Sequence, residues 1–281
     1  MIPIPETEID RLIAEDVGFG DLTTRALGIV GQPGRIGFAA RDPMVACATE
    51  EAARILNRLG AVPRLLVASG TAVTPGTLLL EATGAAGALH AGWKVAQTLM
   101  EWSAGIASAV RDIRDAARAV TPGITIACTR KSVPLTRAFS IKAVLAGGGA
   151  MHRTGLGDTI LVFPEHRAFL RDEELAVTIA RLRAAAPERA IVVEVADPDD
   201  AVRAAAAGAD VVQLEKFSPD AVAELRARLS DAGTFHARIA AAGGVTAMNA
   251  AAYAKAGADI LVTSAPYMAR PRDVQVRITA G

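Results

Sequence analysis

From residue 124 onward, short apolar runs alternate with helical stretches, and this alternation restricts the fold more than any other feature of the chain. The runs are Ile124–Thr129, Thr159–Phe163, Ile191–Val195, Asp210–Leu214, Arg238–Ala242 and Asp259–Thr263. Brief apolar runs separated by stretches long enough for a helix predict parallel strands joined by crossovers. Two runs are entered through the same device, Ala207-Gly208-Ala209-Asp210 and Ala256-Gly257-Ala258-Asp259. In each, a glycine closes a helix and an aspartate precedes the strand. Such a succession predicts a parallel α/β barrel, complete or open, rather than a doubly wound sheet. No Gly-x-Gly-x-x-Gly follows the first strand, which argues against a dinucleotide fold.

The preceding part reads as α+β. Residues 6–16 form an amphipathic helix with Ile9, Leu12 and Ile13 on one face. The acidic loop Glu15–Thr24, punctuated by glycine, reads as a turn with capping residues. A strand is expected over 34–47, a helix over 49–59 ending at Gly60, and strands near 64–69 and 77–83 joined through Thr74-Pro75-Gly76. The helical stretch from 88 to 120 contains Gly92 and Gly105 and predicts two helices or one bent helix. The alternating tail Val274–Thr279 is too short to stand alone and is expected to return to the first part.

With aromatics at only 4%, alanine, valine and leucine must fill the core, which suits helices packed on a parallel sheet. Lys+Arg and Asp+Glu stand at 30 each, so no whole-protein field favours nucleic acid or a membrane, and anion binding has to come from a local cluster. Lysine occurs only at positions 94, 131, 142, 216 and 255. Cys47 and Cys128 lie far apart in apolar stretches and read as two reduced, buried thiols of a cytoplasmic protein. The N-terminal residues lack the basic and apolar regions of a signal peptide, and no apolar run is long enough to span a membrane.

In α/β barrels functional groups collect at the C-terminal ends of strands. That rim is expected to carry Thr129-Arg130-Lys131, Glu194, Glu215, Ala242-Gly243-Gly244 and Thr263-Ser264. Each has a bland reading as solvated loop, cap or turn, but their coincidence at one end points to a site for a phosphorylated, acidic substrate. Arginine grips a carboxylate or phosphate with two donors, and lysine acts as a mobile point charge. Backbone N–H groups at Gly243-Gly244, opening a helix expected near Val245, would cradle a phosphate. Glu194 and Glu215 suit Mg2+ or ribose hydroxyls. His90 and His236 are isolated and read as structural or exposed.

Thr129-Arg130-Lys131, Gly147-Gly148-Gly149 leading to His152-Arg153, and Gly155-Leu156 resemble the type II phosphoribosyltransferases, the family of quinolinate phosphoribosyltransferase. Glu15-Asp16 with Gly20-Asp21-Leu22-Thr23-Thr24, Ala104-Gly105-Ile106-Ala107-Ser108, Val193-Glu194-Val195, Leu214-Glu215 and Ala242-Gly243-Gly244 extend the resemblance over nearly the whole chain. It implies an N-terminal α+β sandwich domain over 1–105, joined by the tail 271–281, and an open parallel α/β barrel over 106–270. It also implies a homodimer or higher assembly with a shared active site, in which Mg2+ supports transfer of phosphoribose from phosphoribosyl pyrophosphate. By resemblance Lys94, Thr129, Arg130, Lys131, His152, Arg153 and Phe163 would contact the acidic acceptor. Glu194 and Glu215 would hold ribose and metal and, with Lys131, form the catalytic set. Ala242, Gly243, Gly244, Thr263, Ser264 and Ala265 would hold the 5′-phosphate.

Departures from the family pattern are concentrated in the acceptor site. Lys94, after Trp93, stands where the family has an arginine contributed across the dimer. Phe163-Pro164-Glu165-His166 replaces a segment that begins with lysine. Glu215 replaces an aspartate and is followed by Lys216, while Ser264 and Met268 replace a glycine and a histidine. Trp93-Lys94-Val95-Ala96-Gln97 and Val162–Arg167 resemble instead the ModD proteins, members of this family encoded with molybdenum-transport genes. The resemblance implies a phosphoribosyltransferase whose acceptor is not quinolinate. Two alternatives are nicotinate-nucleotide pyrophosphorylase (carboxylating) activity in NAD biosynthesis, with Lys94, Lys142 or Lys216 replacing lost charges, and a non-catalytic anion-binding protein linked to molybdenum uptake.

Overall fold

The computed structural model describes residues 2–170, 173–231 and 236–281. Its strands in chain order are β1 (Pro33–Ala40), β2 (Met44–Val45), β3 (Val62–Leu65), β4 (Ala72–Val73), β5 (Leu78–Ala85), β6 (Thr125–Cys128), β7 (Ala150–Met151), β8 (Ile160–Val162), β9 (Ile191–Val195), β10 (Val211–Glu215), β11 (Arg238–Ala242), β12 (Ile260–Thr263) and β13 (Val274–Ala280). The chain divides into two compact units. One comprises residues 1–111, 132–148 and 266–281, the other 112–131 and 149–265. Residues 132–148 thus group with the first unit, although chain order places them inside the expected barrel domain.

The first unit is built on an antiparallel sheet in the order β13-β1-β5-β3. Strand β1 alternates buried and partly exposed positions, sending Ile36, Phe38 and Ala40 into a core shared with Leu56, Leu80 and Met100. Burying a side chain such as Phe38 contributes about 1.5–3 kcal/mol. The expected strand over 34–47 divides into β1 and β2, and the strand expected over 64–69 lies earlier, as β3. Residues 86–118 form one continuous helix rather than two. Gly92 and Gly105 are sites of close approach instead of breaks. A Cβ on Gly92 would stand 2.7 Å from Leu56 Cδ2, and one on Gly105 would stand 2.5 Å from the Arg270 carbonyl oxygen. On the same helix Gln97 accepts from Trp93 Nε1 at 3.0 Å and donates to the Val274 carbonyl at 2.8 Å, tying the start of β13 to it.

This unit also buries a cation. Lys142 is 3% exposed and donates to Glu50 Oε2 at 2.9 Å and to Glu51. Burial works to raise the Glu50 pKa, but hydrogen bonds from Ser69 and Lys142 prevail and hold it at about 2.

The second unit carries a wholly parallel seven-stranded sheet in the order β7-β6-β12-β11-β10-β9-β8. Its edge strands β7 and β8 do not pair, so the barrel is open. All six expected strands are present, with β7 as an additional short edge strand. Alternation along each strand separates two apolar sets. Ile126, Val193, Val212, Leu214, Ile239 and Leu261 belong to the large core with the helices, whereas Ala127, Ala240, Ala242 and Val262 form a smaller cluster on the opposite, inner face. The repeated Gly-Ala-Asp device performs one task twice. The Asp210 carboxylate accepts from the Ile191 amide at 2.7 Å and from Arg183, and Asp259 accepts from the Ile239 amide at 2.7 Å and from Arg226.

Lys142→Met should lower stability by about 3–5 kcal/mol in denaturant titration, because two carboxylates lose their buried partner. Acid should act on the same cluster. Glu50 titrates at about 2 in the folded protein against an ordinary 4.5, so its stabilisation is complete above pH 4.5 and disappears as pH falls toward 2. Denaturation midpoints measured across that window should fall less steeply in Glu50→Gln than in the wild-type protein.

Candidate active site

The inner face of the open barrel ends in a cleft of about 170 Å³ at the C-terminal ends of the strands. The period-2 geometry of a strand explains its lining. On β9, Val193 and Val195 face the core and Glu194 faces the cleft. On β10, Val212 and Leu214 face the core while Gln213 and Glu215 face the cleft. Ala242 and Val262 supply small and apolar surface between them. Thr129, Arg130 and Lys131 follow β6, His152 and Arg153 follow β7, Phe163 follows β8, Gly243 and Gly244 follow β11, and Ser264 follows β12; all line the same cleft.

The backbone holds this rim closed at two points. The Thr129 amide donates to the Thr263 carbonyl at 2.9 Å, and the His152 amide donates to the Cys128 carbonyl at 2.8 Å. The Thr129 hydroxyl accepts from the Lys131 amide at 3.1 Å, turning the chain just beyond β6. Cys128 itself is a free, buried thiol whose burial pushes its pKa up to about 12, so it is inert here.

Cationic and carboxylate groups occupy one cleft. Arg153 is 7% exposed; burial lowers its pKa, and the positive charge of Arg130 acts in the same direction. Its guanidinium lies over the Phe163 ring at 5.7 Å from the centroid, and the His166 ring stacks on Phe163 at 5.7 Å and 18°. The Phe163 amide donates to His166 Nδ1 at 2.9 Å, which makes that nitrogen an acceptor. Phe163 is therefore held as a flat apolar surface beside Arg153. Burial also lowers the pKa of His152, as does Arg153, while the Gln213 side chain works the other way. Glu194 is raised, first by burial and then by the charges of Glu215 and Glu165, against the opposing hydrogen bond from Gln213.

A cation between Glu194 and Glu215 would relieve that repulsion. Their hard oxygens fit Mg2+, which takes one or two carboxylates and completes its shell with water and substrate oxygens. Among the described residues no cluster of three or more His, Cys, Asp or Glu side chains is placed to hold a metal ion, so any ion here would depend on those further oxygens.

Not every expected residue lines this cleft. Lys94 lies in the other unit, exposed, with its ammonium 4.5 Å from the Trp93 ring centroid and bonded to Gln97 at 3.1 Å. Lys142 is committed to Glu50 and Glu51, and neither it nor Lys216 lines the cleft. The Thr263 hydroxyl donates to the Val245 carbonyl at 2.7 Å and accepts from the Ala265 amide, leaving Ser264 as the available hydroxyl; Ala265 does not line the cleft. No helix starts at Val245. The Asn249 side chain accepts from the Thr246 amide at 2.8 Å and donates to the Gly244 carbonyl at 3.0 Å, holding a turn, and the helix begins only at Ala250. A helix dipole does not support Gly243-Gly244. Gln213, Leu161 and Val262 were missed, although Gln213 is the polar member of Val211-Val212-Gln213-Leu214 and shares the period-2 face of Glu215.

The chain matches the family model described as quinolinate phosphoribosyl transferase, C-terminal domain, over residues 106–277, and the corresponding N-terminal domain over 21–104. It is 53% identical to the ModD pyrophosphorylase homologue of Rhodobacter capsulatus over 257 residues, covering 92% of this chain and 98% of that protein. Identity to the ModD protein of Pasteurella multocida is 39% over 279 residues, covering 99% of each. The crystal structure of NadC from Streptococcus pyogenes superposes with a TM-score of 0.89 at 24% identity, covering 100% of both chains, which establishes the shared fold.

Gly243 provides a test of the rim. Its φ is +85°, and a Cβ there would stand 2.7 Å from Lys216 Cγ and 2.9 Å from the Lys216 backbone nitrogen. Gly243→Ala should cost about 1–3 kcal/mol through backbone strain. A lowered melting temperature and weaker ribose 5-phosphate binding by calorimetry are expected, and unchanged values of both would show that the turn tolerates a side chain.

Proposed function

The chain belongs to the quinolinate phosphoribosyl transferase family, and on that premise we propose that it transfers phosphoribose from phosphoribosyl pyrophosphate, with Mg2+, to an acidic acceptor other than quinolinate. As a family member it is a pentosyltransferase of the ModD kind. The acceptor, the donor and the metal are our reading. The observation that carries it is the Phe163 ring packed against Arg153 in a cleft that otherwise retains Arg130, Lys131 and two carboxylates.

In the transfer, a lone pair of the acceptor attacks the anomeric carbon, and the bond to the pyrophosphate oxygen breaks with its electron pair. Arg130, Lys131 and Arg153 orient the acid group of the acceptor, and orientation of this sort supplies much of the rate. Glu194 and Glu215 place negative charge beside the sugar, where positive charge develops in an oxocarbenium-like transition state. Ser264 and the Gly243-Gly244 turn serve the 5′-phosphate. Mg2+ held by Glu194 and Glu215 would stabilise the charge of the departing pyrophosphate. Phe163 supplies a face on which a planar acceptor stacks and removes a charge–charge contact that a second carboxylate would need. Loss of one such contact costs about 1.5–3 kcal/mol, or roughly ten- to a hundredfold in binding.

Calorimetry with phosphoribosyl pyrophosphate and Mg2+ tests the donor side. Binding should require the metal and be lost in Glu194→Gln; metal-independent binding that survives this change would favour an anion binder. Turnover tests the acceptor side. Quinolinate should be a poor substrate, improved about tenfold or more by Phe163→Lys. Ordinary turnover of quinolinate by the wild-type protein would establish nicotinate-nucleotide pyrophosphorylase activity instead.

A further inference from the structure

Gln213 has no part in the chemistry above, yet it is buried where it lines the cleft, at 4% exposure. Its position is fixed by the sheet. Gln213 on β10 is in register with Glu194 on β9, and both are on the inner face. Its Nε2 donates to Glu194 Oε2 at 2.5 Å. An ionised carboxylate only accepts, so it selects one of the two amide orientations and turns Oε1 away from Glu194. That Oε1 is buried and has no hydrogen-bond partner among the described residues. A buried acceptor left unmatched costs about 1–3 kcal/mol. The cost is removed if a neighbouring donor turns toward it.

His152 is the nearby group that can do so. It lines the same cleft, and the Gln213 side chain already favours its charged form, although no bond of full hydrogen-bond geometry joins them. We propose that Gln213 is a positioning residue for His152: Glu194 fixes the amide, whose Oε1 takes one ring N–H of His152 and so sets which imidazole nitrogen faces the acceptor. Glu194, Gln213 and His152 then form a chain of hydrogen bonds across the cleft. The consequence concerns substrate choice and rests on the function proposed above. A neutral imidazole that gives its N–H to Oε1 keeps its other ring nitrogen as a hydrogen-bond acceptor. The acceptor substrate is accordingly an acid that also carries an N–H or O–H donor, which quinolinate at neutral pH lacks.

The test needs no substrate at its first stage. In full-length protein labelled with 15N-histidine, His152 should show one ring tautomer favoured by about tenfold, the bias expected of one buried hydrogen bond. In Gln213→Leu the two tautomers should become nearly equal. A wild-type ring that averages its tautomers, or a Gln213→Leu ring that keeps the wild-type one, overturns the proposal. Should Gln213→Leu fail to fold, Gln213→Met, which keeps the length of the side chain and loses the amide, takes its place with the same expected equalisation. Binding of two probe acids provides the second readout. Pyrrole-2-carboxylate, which has a ring N–H, should bind about tenfold more tightly than pyridine-2-carboxylate, which lacks one, and Gln213→Leu should abolish the difference. Equal binding by the wild-type protein overturns the donor requirement. Metal-dependent binding of phosphoribosyl pyrophosphate by the wild-type protein is measured alongside; its absence would count against the proposed function and leave the tautomer result standing.

Discussion

Register between parallel strands is the constraint on which the site depends. A slip of one residue on β9 or β10 would send Glu194, Gln213 and Glu215 into the apolar core and bring Val193, Val212 and Leu214 into the cleft. Two aspartates oppose that slip from the far ends of the strands. Asp210 holds the first amide of β9, and Asp259 holds the second amide of β11, each with an arginine as second partner. These pairs are partly exposed, and their worth lies less in Coulomb energy than in geometry, since each ties a helix, a strand entry and the adjacent strand together.

Stability and chemistry are divided between the two faces of one sheet. The face toward the helices carries branched aliphatics in a continuous core. The inner face carries alanines at 127, 240 and 242, whose small side chains leave room for the longer polar groups of β9 and β10. Those polar groups are themselves incompletely satisfied: Glu194 is destabilised as an anion by burial and by Glu215, and Gln213 holds an unmatched oxygen. Such local costs are characteristic of functional positions and require a stable frame around them.

The frame was readable from the chain because its signals are local and repeated. Alternating runs gave six of the seven parallel strands, and the twin Ala-Gly-Ala-Asp entries marked two of them. Strand β7 was not readable, since two residues carry no period. The rim residues followed from the rule that barrels work at strand C-termini, and Arg130, Lys131, Glu194, Glu215 and Gly243 do share one cleft. What escaped were consequences of contacts distant in sequence. Asn249 bonds back to Gly244 and cancels a helix start, Val245 claims the Thr263 hydroxyl, and Glu50 and Glu51 claim Lys142. Gln213 escaped for another reason: the strand pattern exposes it, but only an alternation carried through each strand face would have separated it from its apolar neighbours.

Strand β13 has a consequence for how the protein is made. It pairs along the whole of β1, with Gly34 opposite Ala280 and Ala40 opposite Val274, and its first residue is held by Gln97 and Glu101. The first strand of the sheet thus waits for the last, and β1 keeps an open edge throughout synthesis until residues 274–280 leave the ribosome. The parallel sheet has no such dependence, because β6 to β12 are complete before that segment is translated. Closure of the N-terminal sheet is therefore expected to be a late, long-range step of folding.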